Sequence, residues 1–173
     1  GKVLIAGNFI QYDGHACGRI ARLNPDGSFD GTYNSGSGFD GFVLDMELTS
    51  TGGVVACGDF LSYDGAGLSG HVIRLNPDGT RDAGFSPPIF GASAINALEV
   101  TPTDGIILTG ALSVSAPVVQ SRVVKLMSTG TVDASFTTGA TPLAGAFLDV
   151  ERFSDDRLCV IGAFTSSQGG ARS

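Results

Sequence analysis

The protein has 173 residues, of which 42% are hydrophobic and 16% are charged, and its formal net charge is −7. This acidic balance, without any run of basic residues, argues against binding to the phosphate backbone of a nucleic acid. No apolar segment approaches the ~20 residues that a membrane-spanning helix needs, so membrane insertion is not expected. The 26 glycines and 7 prolines suit many short strands joined by tight turns, and the chain is too apolar for a disordered one.

The chain repeats itself at a spacing of about 52 residues, which lies in the range of propeller blades or solenoid units. Each repeat has a short apolar strand that ends in a glycine, and the pattern shows no helical periodicity. We therefore predict an all-β fold: a β-propeller segment of four-stranded blades, with about three blades plus partial ends. The glycines that mark the repeat are Gly7, Gly58, Gly110 and Gly162.

The predicted units are two complete blades between two partial ones. Residues 1–41 form a partial blade with strands two to four, and 42–94 and 95–146 are the complete blades. Residues 147–173 form a partial blade with strands one and two. Because closed propellers normally need ~4–8 blades, we expect the chain to be an excerpt from a larger propeller, with association of copies into a ring as the alternative.

Each complete blade is expected to end in a short fourth strand after an Asn-Pro-Asp-Gly type of turn. This strand is expected at Asp82 and Phe85 in one blade and over 133–136 in the next. Cys57 and Cys159 fall within apolar strands, where a buried and unreactive thiol is the usual state.

Three short motifs recur in order: Gly-x-Phe, a Tyr-x-Gly motif that predicts a turn, and Arg-Leu-Asn-x-Asp-Gly followed by x-x-Asp-x-x and an aromatic residue. This arrangement resembles the delta-60 repeat family of bacterial and phage proteins. The resemblance implies a propeller-like fold in large secreted, surface or virion tail proteins, without a shared catalytic activity or a cofactor. The third unit departs from the pattern at Leu112 and at Met127 to Thr129. The matching residues are Gly7 to Phe9, Tyr12 to Gly14, Arg22 to Gly27, Asp30, Tyr33, Gly58 to Phe60, Tyr63 to Gly65, Arg74 to Gly79, Asp82 and Phe85.

The Asn-Pro-Asp-Gly turns place oxygen ligands at alternate positions beside a glycine bend, as a calcium ion requires. The loop is shorter than an EF-hand and lacks its terminal Glu. We therefore favour a turn whose Asn and Asp side chains bind nearby backbone groups, with calcium as the weak alternative. The calcium ligands would be Asn24, Asp26, Asp30, Asn76, Asp78 and Asp82.

A glutamate recurs in strand one of three units, and a cation recurs in strand three. We expect these anions and cations to form ion pairs within or between blades, because an active site needs one constellation rather than several copies. The alternative is a carbohydrate-binding or carbohydrate-active propeller that uses the strand-one carboxylates, with Asp45 and Asp149 beside them. The repeated residues predicted to be structural are Gly7, Phe9, Arg22, Glu47, Gly58, Phe60, Arg74, Glu99, Gly110, Lys125, Glu151 and Gly162.

Function is expected where the repeats differ. Pro87, Pro88, Ile89 and Phe90 form a rigid apolar loop suited to a partner contact, although a loop packed on its own propeller is the simpler interpretation, and the loop 113–120 is a second candidate. We predict a non-catalytic scaffold and interaction module in a bacterial surface or secreted protein or a phage virion, and so an extracellular, cell-surface or virion location. The expected partners are other chains or the remaining blades of the parent protein, and a cell-surface receptor or glycan.

Overall fold

The computed structural model describes residues 1–90, 94–110, 112–114, 119–120, 123–136 and 144–166. Over these residues the protein is all-β, as predicted, and it contains no helix that could cross a membrane. Short apolar runs bounded by glycine, proline and aspartate turns favour short strands over helices. The strands are β1 (Val3–Ala6), β2 (Gln11–Tyr12), β3 (His15–Ala16), β4 (Ile20–Leu23), β5 (Val43–Leu48), β6 (Val54–Gly58), β7 (Ser62–Tyr63), β8 (Ala66–Gly67), β9 (Val72–Leu75), β10 (Ile95–Val100), β11 (Ile106–Gly110), β12 (Ser113–Val114), β13 (Val119–Gln120), β14 (Val123–Leu126), β15 (Ala144–Arg152) and β16 (Leu158–Ser166).

Two antiparallel sheets share one design, in which a first strand, a middle strand and a third strand lie side by side. Their orders are β5-β6-β9 and β10-β11-β14. The middle strands β6 and β11 are buried along their whole length because apolar residues occupy both of their faces. The same plan places β1 and β4 as the middle and third strands of the first repeat, and β15 and β16 as the first and middle strands of the last.

Small hairpins link the middle strands to the third strands. In the first two repeats these hairpins turn at Asp13-Gly14 and Asp64-Gly65, and all four residues have positive φ angles between 48° and 77°. Asp-Gly is a favoured pair for such a turn, because glycine and aspartate tolerate the left-handed region. The Tyr-x-Gly turns predicted from the sequence are therefore confirmed as β2–β3 and β7–β8.

The predicted fourth strand is replaced by a single backbone bridge, such as the one between Leu75 and Arg81. The Asp82 carboxylate accepts a hydrogen bond from the Gly84 N–H at 2.7 Å, and the Phe85 N–H donates to the Asp82 carbonyl at 3.2 Å. These local bonds curl the chain where a strand would have to stay extended. The fourth strands expected at Asp82 and Phe85 and at Asp133 to Phe136 are therefore wrong.

Alternate residues of a middle strand face opposite neighbouring sheets. On β6, Val54 and Ala56 pack toward the first repeat, whereas Val55 and Cys57 pack toward the third. Because side chains alternate between the faces of a strand, a strand that is buried on both faces needs apolar residues at every position. The expected buried thiol is confirmed for Cys57 and is wrong for Cys159, which is exposed on β16.

The first strands of successive repeats converge. β5 packs on β10 and β10 packs on β15, while the third strands β9 and β14 make no comparable approach. The apolar core fills the space between neighbouring sheets. Sheets that pack face to face and are closest at their first strands are typical of blades around a shared hub, so the prediction of an all-β propeller segment is confirmed.

Candidate functional site

The strand-one carboxylates of the second repeat face the backbone of the third. The Asp45 carboxylate accepts hydrogen bonds from the Leu98 N–H and from the Met46 N–H, both at 2.8 Å. The Glu47 carboxylate accepts one from the Val100 N–H. The N–H groups of Leu98 and Val100 lie on the edge of β10 that faces β5. Buried backbone N–H groups need a hydrogen-bond acceptor, and the two carboxylates supply it. Asp45 and Glu47 therefore join two sheets.

Glu47, Glu99 and Glu151 form an acidic row across the neighbouring strands β5, β10 and β15. Burial raises the pKa of Glu47, and the negative charges of Glu99, Asp45 and Glu151 raise it further. Burial and the charge of Glu151 raise the pKa of Glu99, against the opposing effect of Arg152, whose Nε lies 3.5 Å from Glu99 Oε1. Glu151 itself is exposed. The row is where a carbohydrate-binding site of the predicted kind would lie.

The repeated cations of the third strands pair with an aspartate eight residues later, not with a strand-one glutamate. The turn between them reverses the chain and brings the two side chains together. Arg74 also stacks over the Phe85 ring at 5.2 Å, which adds a cation–π contact. The predicted pairing of these cations with the glutamates is therefore wrong. The observed pairs are Arg22 with Asp30 at 2.5 Å, Arg74 with Asp82 at 2.7 Å and Lys125 with Asp133 at 3.1 Å.

The aspartates inside the turns use their oxygens on the turn itself. Asp26 Oδ1 accepts hydrogen bonds from the Ser28 N–H at 3.0 Å and from the Ser28 hydroxyl at 2.7 Å. Asp78 binds Thr80 in the same way and at the same distances. This local bonding agrees with the turn interpretation of the Asn-Pro-Asp-Gly motif.

The remaining residues of the calcium hypothesis are also engaged in protein contacts. Asn24 and Asn76 point amide nitrogens, which are donors, at hydroxyls of the turn, at 3.0 and 2.9 Å. Asp30 accepts hydrogen bonds from Lys2, Thr32 and Arg22, and these hold its pKa well below the usual range. Among the described residues, no group of three His, Cys, Asp or Glu side chains could hold a metal ion. The arrangement favours a cross-linked turn over a calcium loop.

The predicted contact loop is largely packed against its own protein. Phe90 is only 3% exposed and lies in the core between the second and third repeats, whereas Ile89 is 65% exposed. Pro87 and Pro88 are half-buried. Ile89 is therefore the side chain of this loop that is most available to a partner. Residues 115–118 of the second candidate loop lie outside the described part of the chain.

Three segments of the chain match one protein family, described as "Domain of unknown function (DUF5122) beta-propeller". The matched residues are 1–33, 49–85 and 103–136, which together make up more than half of the sequence. The chain belongs to this family. No curated protein and no solved structure matches it.

Each matched segment of this DUF5122 propeller starts before a middle strand and ends at an aromatic residue after the turn. These aromatic residues are Tyr33, Phe85 and Phe136. The first strands β5 and β10 lie between the matched segments. The family pattern therefore contains the strand-three cation, the turn, the paired aspartate and the aromatic residue, which are the parts that bind one another within a repeat.

A contact that the sequence did not predict joins the turns of the second and third DUF5122 repeats to the repeat before each of them. Arg22 Nη1 donates a hydrogen bond to the Pro77 carbonyl at 2.7 Å, and the Asn34 N–H donates to the Asp78 carbonyl at 2.7 Å. The turn 76–79 is thereby held on the first repeat. The equivalent bonds at the next interface run from Arg74 Nη1 to the Ser128 carbonyl and from the Ser86 N–H to the Thr129 carbonyl at 2.9 Å.

The glycine that ends each docked turn packs tightly against the preceding repeat. A Cβ at Gly79 would lie 3.0 Å from the Tyr33 ring, and a Cβ at Gly130 would lie 2.9 Å from the backbone of Ser86. Both glycines have positive φ angles, 94° and 91°. Glycine is therefore required here for its backbone conformation and for the close approach. The sequence shows the repeated Arg-Leu-Asn-Pro-Asp-Gly motif. This motif does not indicate that the turn contacts the preceding repeat.

Proposed function

We propose that this chain is a non-catalytic propeller module that serves as a rigid scaffold and presents a surface for contact with other proteins or a receptor. The observation that carries the proposal is that most of its repeated charged side chains are bound within or between repeats. Asp45 and Glu47 bind the backbone of the next sheet, and Arg74 binds both its own aspartate and the next turn. Side chains held in this way specify geometry and are not free to transfer protons.

The pKa values of the paired aspartates support this proposal. Hydrogen bonds from Ser135 and Lys125 lower the pKa of Asp133, and those from Lys2, Thr32 and Arg22 lower that of Asp30. A general acid must hold a proton near the working pH, so a carboxyl with a lowered pKa is poorly suited to that role.

Incubation of the protein with a panel of polysaccharides and peptides tests the proposal. We expect no release of reducing ends or of new amino termini above the rate of a heat-inactivated control. Turnover of a substrate by the protein, abolished in the Glu151→Gln variant, would contradict the non-catalytic assignment.

A second candidate function is carbohydrate binding at the acidic row. It is favoured by one observation: Glu151 is exposed beside Glu99, whose pKa is raised. Glycan-array binding that is lost in Glu151→Gln, with an unchanged melting temperature, would support it. Binding that is unaffected by this substitution would remove the acidic row from consideration.

The setting of the module is part of the proposal. The resemblance to delta-60 repeats supports a place in a bacterial surface or secreted protein or in a phage virion tail. The acidic charge, with Lys+Arg 10 against Asp+Glu 17, supports a partner other than nucleic acid. Fractionation of the source organism, with immunodetection in the medium, envelope, cytoplasm and released particles, tests this assignment, and detection confined to the cytoplasm would contradict it.

A further inference from the structure

In the first repeat, a hydroxyl completes the pair of the third-strand cation and its aspartate. The Thr32 hydroxyl accepts a hydrogen bond from Arg22 Nη2 at 3.1 Å and donates one to Asp30 Oδ1 at 2.6 Å. In the third repeat, the Ser135 hydroxyl donates to Asp133 Oδ1 at 2.5 Å. A hydroxyl suits this position because it can donate and accept at the same time.

The second repeat lacks this hydroxyl, because Gly84 occupies the equivalent position. The Gly84 N–H still donates to Asp82 Oδ1, at 2.7 Å, as the equivalent N–H groups do in the other two repeats. Arg74 uses Nε on Asp82 and Nη1 on the docked turn, and its Nη2 has no acceptor among the described residues. The second repeat therefore holds a formed cation–carboxylate pair without the hydroxyl that completes the others.

Arg74 and Asp82 line a cleft of about 340 Å³ between the second and third repeats. Small-molecule sites have volumes of roughly 300–1,000 Å³, so the cleft suits a ligand at the lower end of this range. The side chains of Arg74 and Asp82 are 19% and 24% exposed, and a ligand can therefore reach both. The docked turn residues Ser128 and Thr129 form part of the wall.

The charges of the cleft favour a neutral ligand. One cation, Arg74, lies in it with the carboxylates of Asp82 and Asp104, so both an anion and a second cation would meet a like charge. Burial opposes the ionisation of Asp82, but hydrogen bonds from Gly84 and Arg74 outweigh it and lower the pKa of Asp82. The carboxylate is therefore ionised at neutral pH, and it needs a donor.

The other walls combine hydroxyls with apolar surface. Thr49 and Thr51 both line the cleft, with their hydroxyl oxygens 3.1 Å apart, and each hydroxyl can donate and accept. Leu75 and Pro77 add apolar surface. A sugar ring carries hydroxyls around its edge and C–H groups on its faces, which matches this combination.

We propose that this cleft binds a small carbohydrate of one or two rings, with one sugar hydroxyl in the position that the Thr32 hydroxyl has in the first repeat. This hydroxyl would accept a hydrogen bond from Arg74 Nη2 and donate one to Asp82 Oδ1. Both bonds involve an ionised group and are therefore stronger than bonds between neutral groups. No glutamate of the acidic row is among the described residues that line the cleft. This inference goes beyond the proposed function, and its test is independent of the assays for turnover.

NMR titration of the ¹⁵N-labelled protein with D-glucose, D-galactose, D-mannose and N-acetyl-D-glucosamine tests the inference. We expect at least one of these sugars to shift the amide signals of Gly53, Gly84 and Asp104 in a saturable way. Gly84→Ser should weaken this binding by at least about tenfold, because the serine hydroxyl takes the place of the sugar hydroxyl. A Cβ at Gly84 would lie 3.1 Å from Asp82 Oδ1, and the φ angle of Gly84 lies outside the left-handed region, so serine fits there as it does in the third repeat.

Gly67→Ser is the matched control, since Gly67 is an exposed glycine of the β7–β8 hairpin with nothing within 4 Å of its Cβ position. It should bind sugar as the wild type does. Thr51→Val removes an exposed hydroxyl from the cleft and should also weaken binding. Circular dichroism spectra identical to that of the wild type establish that each variant is folded.

Three results would overturn the proposal. The first is the absence of saturable shifts at the cleft with all four sugars, and the second is binding that Gly84→Ser leaves unchanged. The third is binding that is lost in Glu151→Gln but kept in Gly84→Ser, which would assign the sugar to the acidic row.

Discussion

The Asp45 carboxylate lies 2.8 Å from the backbone nitrogen of Leu98, so a side chain on one sheet completes the hydrogen bonding of the next. The two residues are 53 positions apart, about one repeat. Contacts of this kind hold the repeats in a fixed relation, in addition to the apolar core between them.

Replacement of Asp45 by alanine should destabilise the protein by about 1–3 kcal/mol, because it leaves the Leu98 N–H without its partner in a partly buried site. Urea denaturation at neutral pH measures the change. Asp149→Ala is the matched control, since Asp149 occupies the equivalent place on β15 and binds the adjacent Val150 N–H at 2.9 Å. Equal losses in the two variants would contradict a role for Asp45 between sheets.

Replacement of Tyr63 by phenylalanine should cost about 1 kcal/mol of unfolding free energy, because it removes a buried hydrogen bond to the Gly79 carbonyl. Tyr12→Phe removes the equivalent bond to Gly27, which is exposed and can be replaced by water, so its cost should be smaller. Thermal and urea unfolding of both variants provide the comparison. A larger loss for Tyr12→Phe would contradict the expected effect of burial on these two hydrogen bonds.

The stability of the protein should fall in acid, and Asp30 should contribute to that fall. Its folded pKa is lowered, so its stabilising contribution is present above its ordinary pKa of about 4 and is lost as the pH falls through and below that value. Asp30→Asn should therefore reduce the loss of unfolding free energy between neutral pH and a pH of about 3. Asp13→Asn makes the same substitution in an exposed hairpin turn and controls for the loss of one negative charge. A pH dependence of Asp30→Asn that matches the wild type would contradict this role of Asp30.

Glu47→Gln should have the opposite pH signature. The folded pKa of Glu47 is raised, so its favourable contribution is present below its ordinary pKa of about 4.3 and is lost as the pH rises through the folded value. The glutamine keeps a carbonyl oxygen for the Val100 N–H but carries no charge. The melting temperature of the variant relative to the wild type should therefore increase from acidic to neutral pH. A constant difference at all pH values would contradict the raised pKa.

Most of the fold was predictable because its signals are local. The apolar runs identified the longer strands, and Asp13-Gly14 identified a turn from the conformational preferences of two residues. The fourth strand was predicted wrongly because Asp82 binds the backbone of Gly84, and such local capping competes with an extended ladder.

The polar contacts were less predictable because they depend on which repeat faces which. The recurrence of Arg74 and Glu47 indicated that both are structural, but the spacing could not show that Arg74 would bind Asp82 and the next turn. The sequence left open, for a similar reason, whether Phe90 contacts a partner or packs on its own propeller. Its loop is distinctive in sequence, yet the ring fills a gap between two sheets that forms only when the repeats pack.

Successive repeats are joined through backbone groups as well as through the apolar core. Amide hydrogen exchange followed by NMR tests it most directly, at the N–H groups of Asn34, Ser86, Leu98 and Val100, which donate across the interfaces between repeats. The account predicts protection at these amides comparable to that within β6 and β11. Exchange there at the rate of an open peptide, with β6 and β11 still protected, would show that the sheets form without the joining contacts and would contradict the account.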